Sequence, residues 1–222
     1  MVIGSIMKKK QIIILSSIAV ALLIIIITLA CYFNIPRIAY SYDGETDSYY
    51  VSNVFGNAKS YEIAEKVNDK YVTKIGSKVF MNKDKLEKVT LSPYLTEIER
   101  MAFSDCHNLK EIDLSHVDVI GRNSFEGCSS LESVKLNAST ILGGAFLRCT
   151  SLKSVTLKNT DSIGSYAFAF TAIKEITLPA SMTLVGTDAF YGCEELAKII
   201  CKSNQLKSYS YLNSLGIVVF DY

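Results

Sequence analysis

The 222 residues carry 23 basic and 22 acidic side chains, 49% hydrophobic residues and no Trp. Before Arg37 the only charges are Lys8, Lys9 and Lys10, so the remainder holds 20 basic against 22 acidic side chains, a net charge of −2. That balance excludes the basic footprint of a nucleic-acid-binding domain and a strongly acidic tail.

The chain opens with a short tail, residues 1–10, expected to be cytoplasmic. From Gln11 to Pro36 there is no charged residue. Ile12 to Phe33 is almost wholly aliphatic and aromatic, and as a helix it reaches roughly 33 Å, enough to cross a bilayer core of about 30 Å. The segment 11–33 therefore reads as a transmembrane signal anchor. Backbone polar groups in lipid must be satisfied within the helix. The lysines at 8–10 favour the inside, which puts the bulk of the chain outside the cytoplasm in a single-pass arrangement. Two other readings stay open. A cleaved signal peptide has a shorter apolar run. A lipoprotein anchored at Cys31 would use Thr28-Leu29-Ala30-Cys31 as a loose acylation motif. All three leave the remainder extracytoplasmic. Residues 34–60, polar and Tyr-rich without a period, are expected to form a stalk.

From 61 to 222 the sequence repeats. Phe recurs at 80, 103, 125, 146, 168 and 190, at intervals of 21–23 residues, inside the range of leucine-rich repeats. Five residues before each Phe stands Ile75, Ile98, Ile120, Ile141, Ile163 or Val185, followed in four copies by Gly (76, 121, 164, 186). Ala precedes Phe at 102, 145, 167 and 189. After each Phe comes an L-x-x-[VI]-x-L unit, as in Leu109-Lys-Glu-Ile112-Asp-Leu114. Its alternation marks a short strand with one face buried. The Ile-Gly pairs read as turn devices. One repeat cannot bury its apolar face alone, so the expected fold is a stacked solenoid of about six repeats with caps. Residues 61–75 look like the first, degenerate coil, and Ile217-Val218-Val219-Phe220 like a closing strand.

The consensus Ile-Gly-x-x-Ala-Phe-x-x-Cys-x-x-Leu-x-x-Ile-x-Leu resembles the BspA-type leucine-rich repeats of bacterial and protist surface proteins. The resemblance covers about Tyr61 to Cys201. It implies an α/β-type leucine-rich-repeat solenoid, with short parallel strands and irregular or short helical return arms. It also implies an extracellular role in adhesion or protein binding, with no catalytic residues to carry over. The family often has Pro after the strand; here only Leu178-Pro179 shows it directly.

Candidates for chemistry are few. Cys106, Cys128, Cys149 and Cys193 each lie three residues after a repeat Phe, and Lys83 and Thr171 fill that position in the other two copies. A disulfide framework or a metal site competes with a buried column of small side chains. Stacked coils run their side chains parallel about 4.8 Å apart, whereas a disulfide needs converging Cβ atoms about 3.8 Å apart. The column is the preferred reading. His107 and His116 fit no triad or metal spacing and are placed on surface loops. Glu111 and Asp113 point the same way from one strand, a pair that in principle suits a glycosidase, but nothing sets their acidities apart. A solvated sheet face is preferred, no enzyme is expected, and no cofactor or metal is implied.

A partner would dock on the strand side chains that point away from the core: Lys88, Thr90, Glu111, Asp113, Ser133, Lys135, Ser154, Thr156, Glu175, Thr177 and Lys198, with Ile200 beside them. This strip is on the order of 25–30 Å long, close to a modest interface of about 800 Å² per partner. It carries mixed charge and no aromatic anchor. The expected partners are the membrane through 11–33 and an extracellular protein or host-surface ligand. The competing reading is an envelope-associated spacer without a specific ligand.

Overall fold

The structure is a computed structural model that describes residues 36–207 and 210–221. The expected cytoplasmic tail, the anchor 11–33 and Cys31 lie outside the described residues. Among those residues no helix is long and apolar enough to cross a membrane.

Each repeat forms one coil with three sides. The first side is the L-x-x-[VI]-x-L strand. β3 (Ser60–Glu62), β6 (Lys88–Thr90) and β8 (Glu111–Ile112) pair in parallel, with Ser60 opposite Lys88 and Lys88 opposite Glu111. A bridge between Leu114 and Leu136 carries the row to β10 (Ser133–Leu136), which pairs with β12 (Ser154–Leu157). The row ends with β14 (Glu175–Leu178), β16 (Lys198–Cys201) and β17 (Val218–Phe220), again parallel. The alternation read from the sequence is realised: Val89, Ile112, Val134, Val155, Ile176 and Ile199 point inward and are buried.

The second side is a ladder of two-residue strands that end on the repeat Ile or Val. They are β7 (Glu97–Ile98), β9 (Val119–Ile120), β11 (Thr140–Ile141), β13 (Ser162–Ile163) and β15 (Leu184–Val185), stacked in register behind β5 (Lys70–Ile75). The third side is a chain of tight turns around the Phe. The first five Phe amides donate to the next coil, as Phe80 to Ala102 O at 2.7 Å, Phe125 to Ala145 O at 2.8 Å and Phe168 to Ala189 O at 2.8 Å. The return arms are thus a second parallel ladder plus turns, and the short helical arms implied by the resemblance do not form in the described coils. A two-residue strand and a turn make their hydrogen bonds between coils, whereas a helix makes them within itself.

Two features of the turns differ from the sequence reading. The residues two before and two after each Phe adopt left-handed backbone, among them Met101 at φ 56°, Asp105 at 58°, Asn123 at 55°, Gly127 at 72°, Tyr166 at 58° and Phe170 at 58°. These, and not the Ile-Gly pairs, turn the chain. The glycines after Ile instead accommodate close approach: a Cβ on Gly164 would lie 2.4 Å from Gly143 N, and one on Gly121 2.5 Å from Ile98 O. They are spacers between neighbouring coils.

The core is one continuous column. Phe80, Phe103, Phe125, Phe146 and Phe168 are fully buried. Successive rings, through to Phe190, stack 4.8–5.9 Å apart and within 8° of parallel. Both ends are closed by polar substitutes for a missing coil. At the start, Tyr61 sets its ring edge-on to Phe80 at 5.5 Å and donates its hydroxyl to Phe55 O. At the end, the short helix α1 (Ser210–Ser214) buries Leu212, and the Tyr211 hydroxyl accepts the Phe190 amide at 2.9 Å.

The expectation of a stalk over 34–60 meets a different arrangement. β1 (Arg37–Asp43) and β2 (Ser48–Phe55) form an antiparallel hairpin, and β2 pairs in parallel with β5. Val51 and Val54 enter the core. These residues are the N-terminal cap of the second ladder, followed by a small hairpin of β4 (Lys66–Val67) on β5.

Candidate strand-face interface

The outward residues of the first ladder line up as their spacing requires. Lys88, Thr90, Glu111, Asp113, Ser133, Lys135, Ser154, Thr156 and Glu175 are exposed, while Thr177, Lys198 and Ile200 are half-buried. Register places Ser133 beside Ser154, Lys135 beside Thr156, and Glu175 beside Lys198. The structure extends the strip beyond the sequence reading. Ser60 and Glu62 of β3 join it next to Lys88 and Thr90, and Val219 of β17 joins it next to Ile200. Neither strand belongs to the periodic unit; β17 bears out the closing strand read at Ile217–Phe220, and its place in the strip comes from its pairing with β16.

The strip is not flat. A depression of about 450 Å³ is walled by Lys88, Thr90, Lys110, Glu111, Asp113 and Lys135. Its charges are partly tied together. Lys88 Nζ reaches Glu111 Oε2 at 3.0 Å, and Glu87 at its margin holds Lys59 at 2.7 Å and Lys110 at 3.2 Å. Hydrogen bonds from Lys59 and then Lys110 hold the Glu87 carboxyl below the usual range. The Asp113 carboxyl is also lowered, first by the Ser115 backbone amide and then by the Ser115 side chain. A glycosidase pair requires one carboxyl with a raised pKa to act as the acid. Asp113 is pushed the other way.

The cysteine position forms a ladder of its own. Cys106, Cys128 and Cys149 are buried, and Cys193 is half-buried; all are free thiols. Each donates to the carbonyl of the preceding coil's Phe: Cys106 to Phe80 O at 3.0 Å, Cys128 to Phe103 O at 3.2 Å, Cys149 to Phe125 O at 3.0 Å, Cys193 to Phe168 O at 3.1 Å. The column is therefore weakly hydrogen-bonded as well as small, which the sequence reading did not foresee. Burial pushes the Cys106 thiol up to about 12 and raises Cys128 and Cys149 as well. Such thiols are poor nucleophiles and poor metal ligands, and no group of residues suited to hold a metal occurs among the described residues. Lys83, at the same position in the first coil, donates to Gly56 O at 2.7 Å and Val54 O at 3.3 Å. It ties the cap hairpin to the first coil. His107 and His116 are exposed, with His107 Nδ1 at 2.9 Å from Gly127 O.

No curated protein matches the chain at the sequence level. Among solved structures, a leucine-rich cell surface protein from Faecalibacterium prausnitzii A2-165 is similar at 28% identity and a TM-score of 0.58. The match covers 75% of this chain and 53% of that one, so this chain spans about half the length of that relative. A leucine-rich repeat protein of T. pallidum shares the fold at 21% identity and a TM-score of 0.55, covering 73% of this chain and 68% of that one. The BspA type leucine-rich repeat region matches in six copies over residues 51–160 and 137–220. With the stacked Phe column and the in-register ladders, these matches establish that the chain belongs to the BspA-type leucine-rich-repeat family.

Proposed function

We propose that the chain is a membrane-anchored cell-surface protein whose strand face docks another protein in adhesion or recognition. The depression of about 450 Å³ across β6, β8 and β10 of the polar strip carries this reading. It gives a partner a concave, mixed-charge seat built on rigid strands rather than on loops. The apolar run 12–33 behind Lys8–Lys10 supports anchoring, and the F. prausnitzii relative is a cell surface protein.

Reversing Glu111, Asp113 and Glu175 to Lys tests the face. The variant keeps the fold, since all three residues are exposed. Cross-linking of the full chain on intact cells should capture a partner that the triple variant fails to capture. An unchanged set of cross-linked proteins would favour the spacer reading. Mass spectrometry of the mature N-terminus tests the anchor: an unmodified chain retaining 11–33 is expected, and an acyl group on Cys31 would replace the spanning helix by a lipid.

A further inference from the structure

The turn side of the last two coils carries a second surface, separate from the strand strip. Tyr166, Phe170 and Tyr191 are 44%, 41% and 55% exposed. The Tyr191 ring stands nearly perpendicular to Phe170, at 84° and 5.3 Å, and to Tyr166, at 73° and 6.2 Å. The three rings therefore make a corner and not a flat stack. In the other coils the positions of Tyr166 and Phe170 are held by Lys, Met, Asn, Asp, Gly and Arg. Both aromatic residues sit at φ 58°, a backbone conformation that bulky side chains rarely adopt. Phe170 lies against Gly192 of the next coil, yet both rings keep about two-fifths of their surface open to solvent.

Beside Tyr191 lies a depression of about 490 Å³ between the last coil and α1, with Asp188, Glu194 and Tyr211 on its walls and Leu196 and Leu215 on its floor. Among the described residues no basic side chain lines it. Asp188 also lies beside the Tyr166 hydroxyl and raises its pKa, which joins the depression to the corner. The N-terminal cap offers an internal comparison. There exposed tyrosines already hold cations of the chain itself: Lys66 lies 4.4 Å from the Tyr71 ring centroid and Lys70 lies 5.6 Å from that of Tyr42. Among the described residues no lysine or arginine lies over Tyr166, Phe170 or Tyr191.

We propose that this corner receives a basic polypeptide segment, with an arginine or lysine side chain over the Tyr191 and Phe170 rings and its charge facing Asp188 and Glu194. Ring faces attract cations through their quadrupole. A guanidinium also stacks on the ring while its edge bonds a carboxylate. The carboxylates of Asp188 and Glu194 on the depression supply the complementary charge.

The test is fluorescence anisotropy of a labelled hexapeptide of alternating glycine and arginine, titrated with the full-length chain in nonionic detergent. Binding is expected, and Y191A should raise the dissociation constant about tenfold. D188N should raise it by a smaller factor. F170N places a residue tolerant of left-handed backbone at that position, so its melting temperature should be unchanged or higher while peptide binding weakens. The strip variant E111K/D113K/E175K should bind the peptide as the parent does. The proposal is overturned if the peptide does not bind, if Y191A and F170N bind it unchanged, or if only the strip variant loses it. Equal binding of the glutamate counterpart or of maltohexaose would also overturn it.

Discussion

Individual side chains show how finely the column is specified. Ser124 occupies the position that is Ala at 102, 145, 167 and 189; it is fully buried and its hydroxyl finds no partner among the described residues. Ser124→Ala should stabilise the chain by about 1 kcal/mol, the desolvation cost of an unpaired hydroxyl, read as a rise in the urea midpoint at constant slope. The cysteines give a pH signature. The Cys106 thiol titrates near 9.0 when free and near 12 in the fold, because burial penalises the thiolate. A pKa raised by folding contributes stability that is intact below pH 9 and lost as pH climbs toward 12. Unfolding midpoints should fall over that window, and Cys106→Ala should flatten part of the fall relative to the parent.

At the scale of the elements, the spacing between coils is set where backbone meets backbone. The Cβ of an alanine at 164 would stand 2.4 Å from Gly143 N, with further backbone atoms at 2.8 and 2.9 Å. No flexible side chain can yield there, so Gly164→Ala should cost about 2–3 kcal/mol by thermal unfolding. Gly44→Ala, which meets only the Tyr42 ring at 3.8 Å, should be close to neutral. The elements also show what a sequence can and cannot disclose. The inward strand residues and the Phe column were legible because burial repeats a residue type at a fixed interval. The left-handed turn positions were not. Lys78, Met101, Asn123, Gly144, Tyr166 and Asp188 share a backbone conformation but no chemistry. The second ladder escaped notice as strand because two residues are too few to show alternation. The β1–β2 hairpin escaped because Arg37–Phe55 occurs once and has no period to match. The strip was legible from Lys88 to Lys198, where the repeat runs, and illegible at Ser60, Glu62 and Val219, where it does not.

At the scale of the molecule, stability accumulates along the row: each coil contributes a Phe ring, an Ile or Val and a set of backbone hydrogen bonds to its neighbours, and no coil is complete alone. The ends are therefore the weak points. Each end is closed by a cap in which strand pairing and buried apolar side chains are joined by polar ties, Lys83 on Gly56 O and Val54 O at the start and the Tyr211 hydroxyl under the Phe190 amide at the end. A docking face on the first ladder needs this rigidity, since the strip keeps its spacing only while the coils stay in register. Hydrogen exchange of the Phe amides, resolved by mass spectrometry in the parent and in Tyr211→Phe, tests this arrangement most directly. Protection should peak at Phe125 and Phe146 and fall toward Phe80 and Phe190, and Tyr211→Phe should speed exchange at Phe190 while leaving Phe125 unchanged. Fast exchange at Phe125, or a Tyr211→Phe effect spread equally over all coils, would contradict a column built by neighbours and closed at its ends.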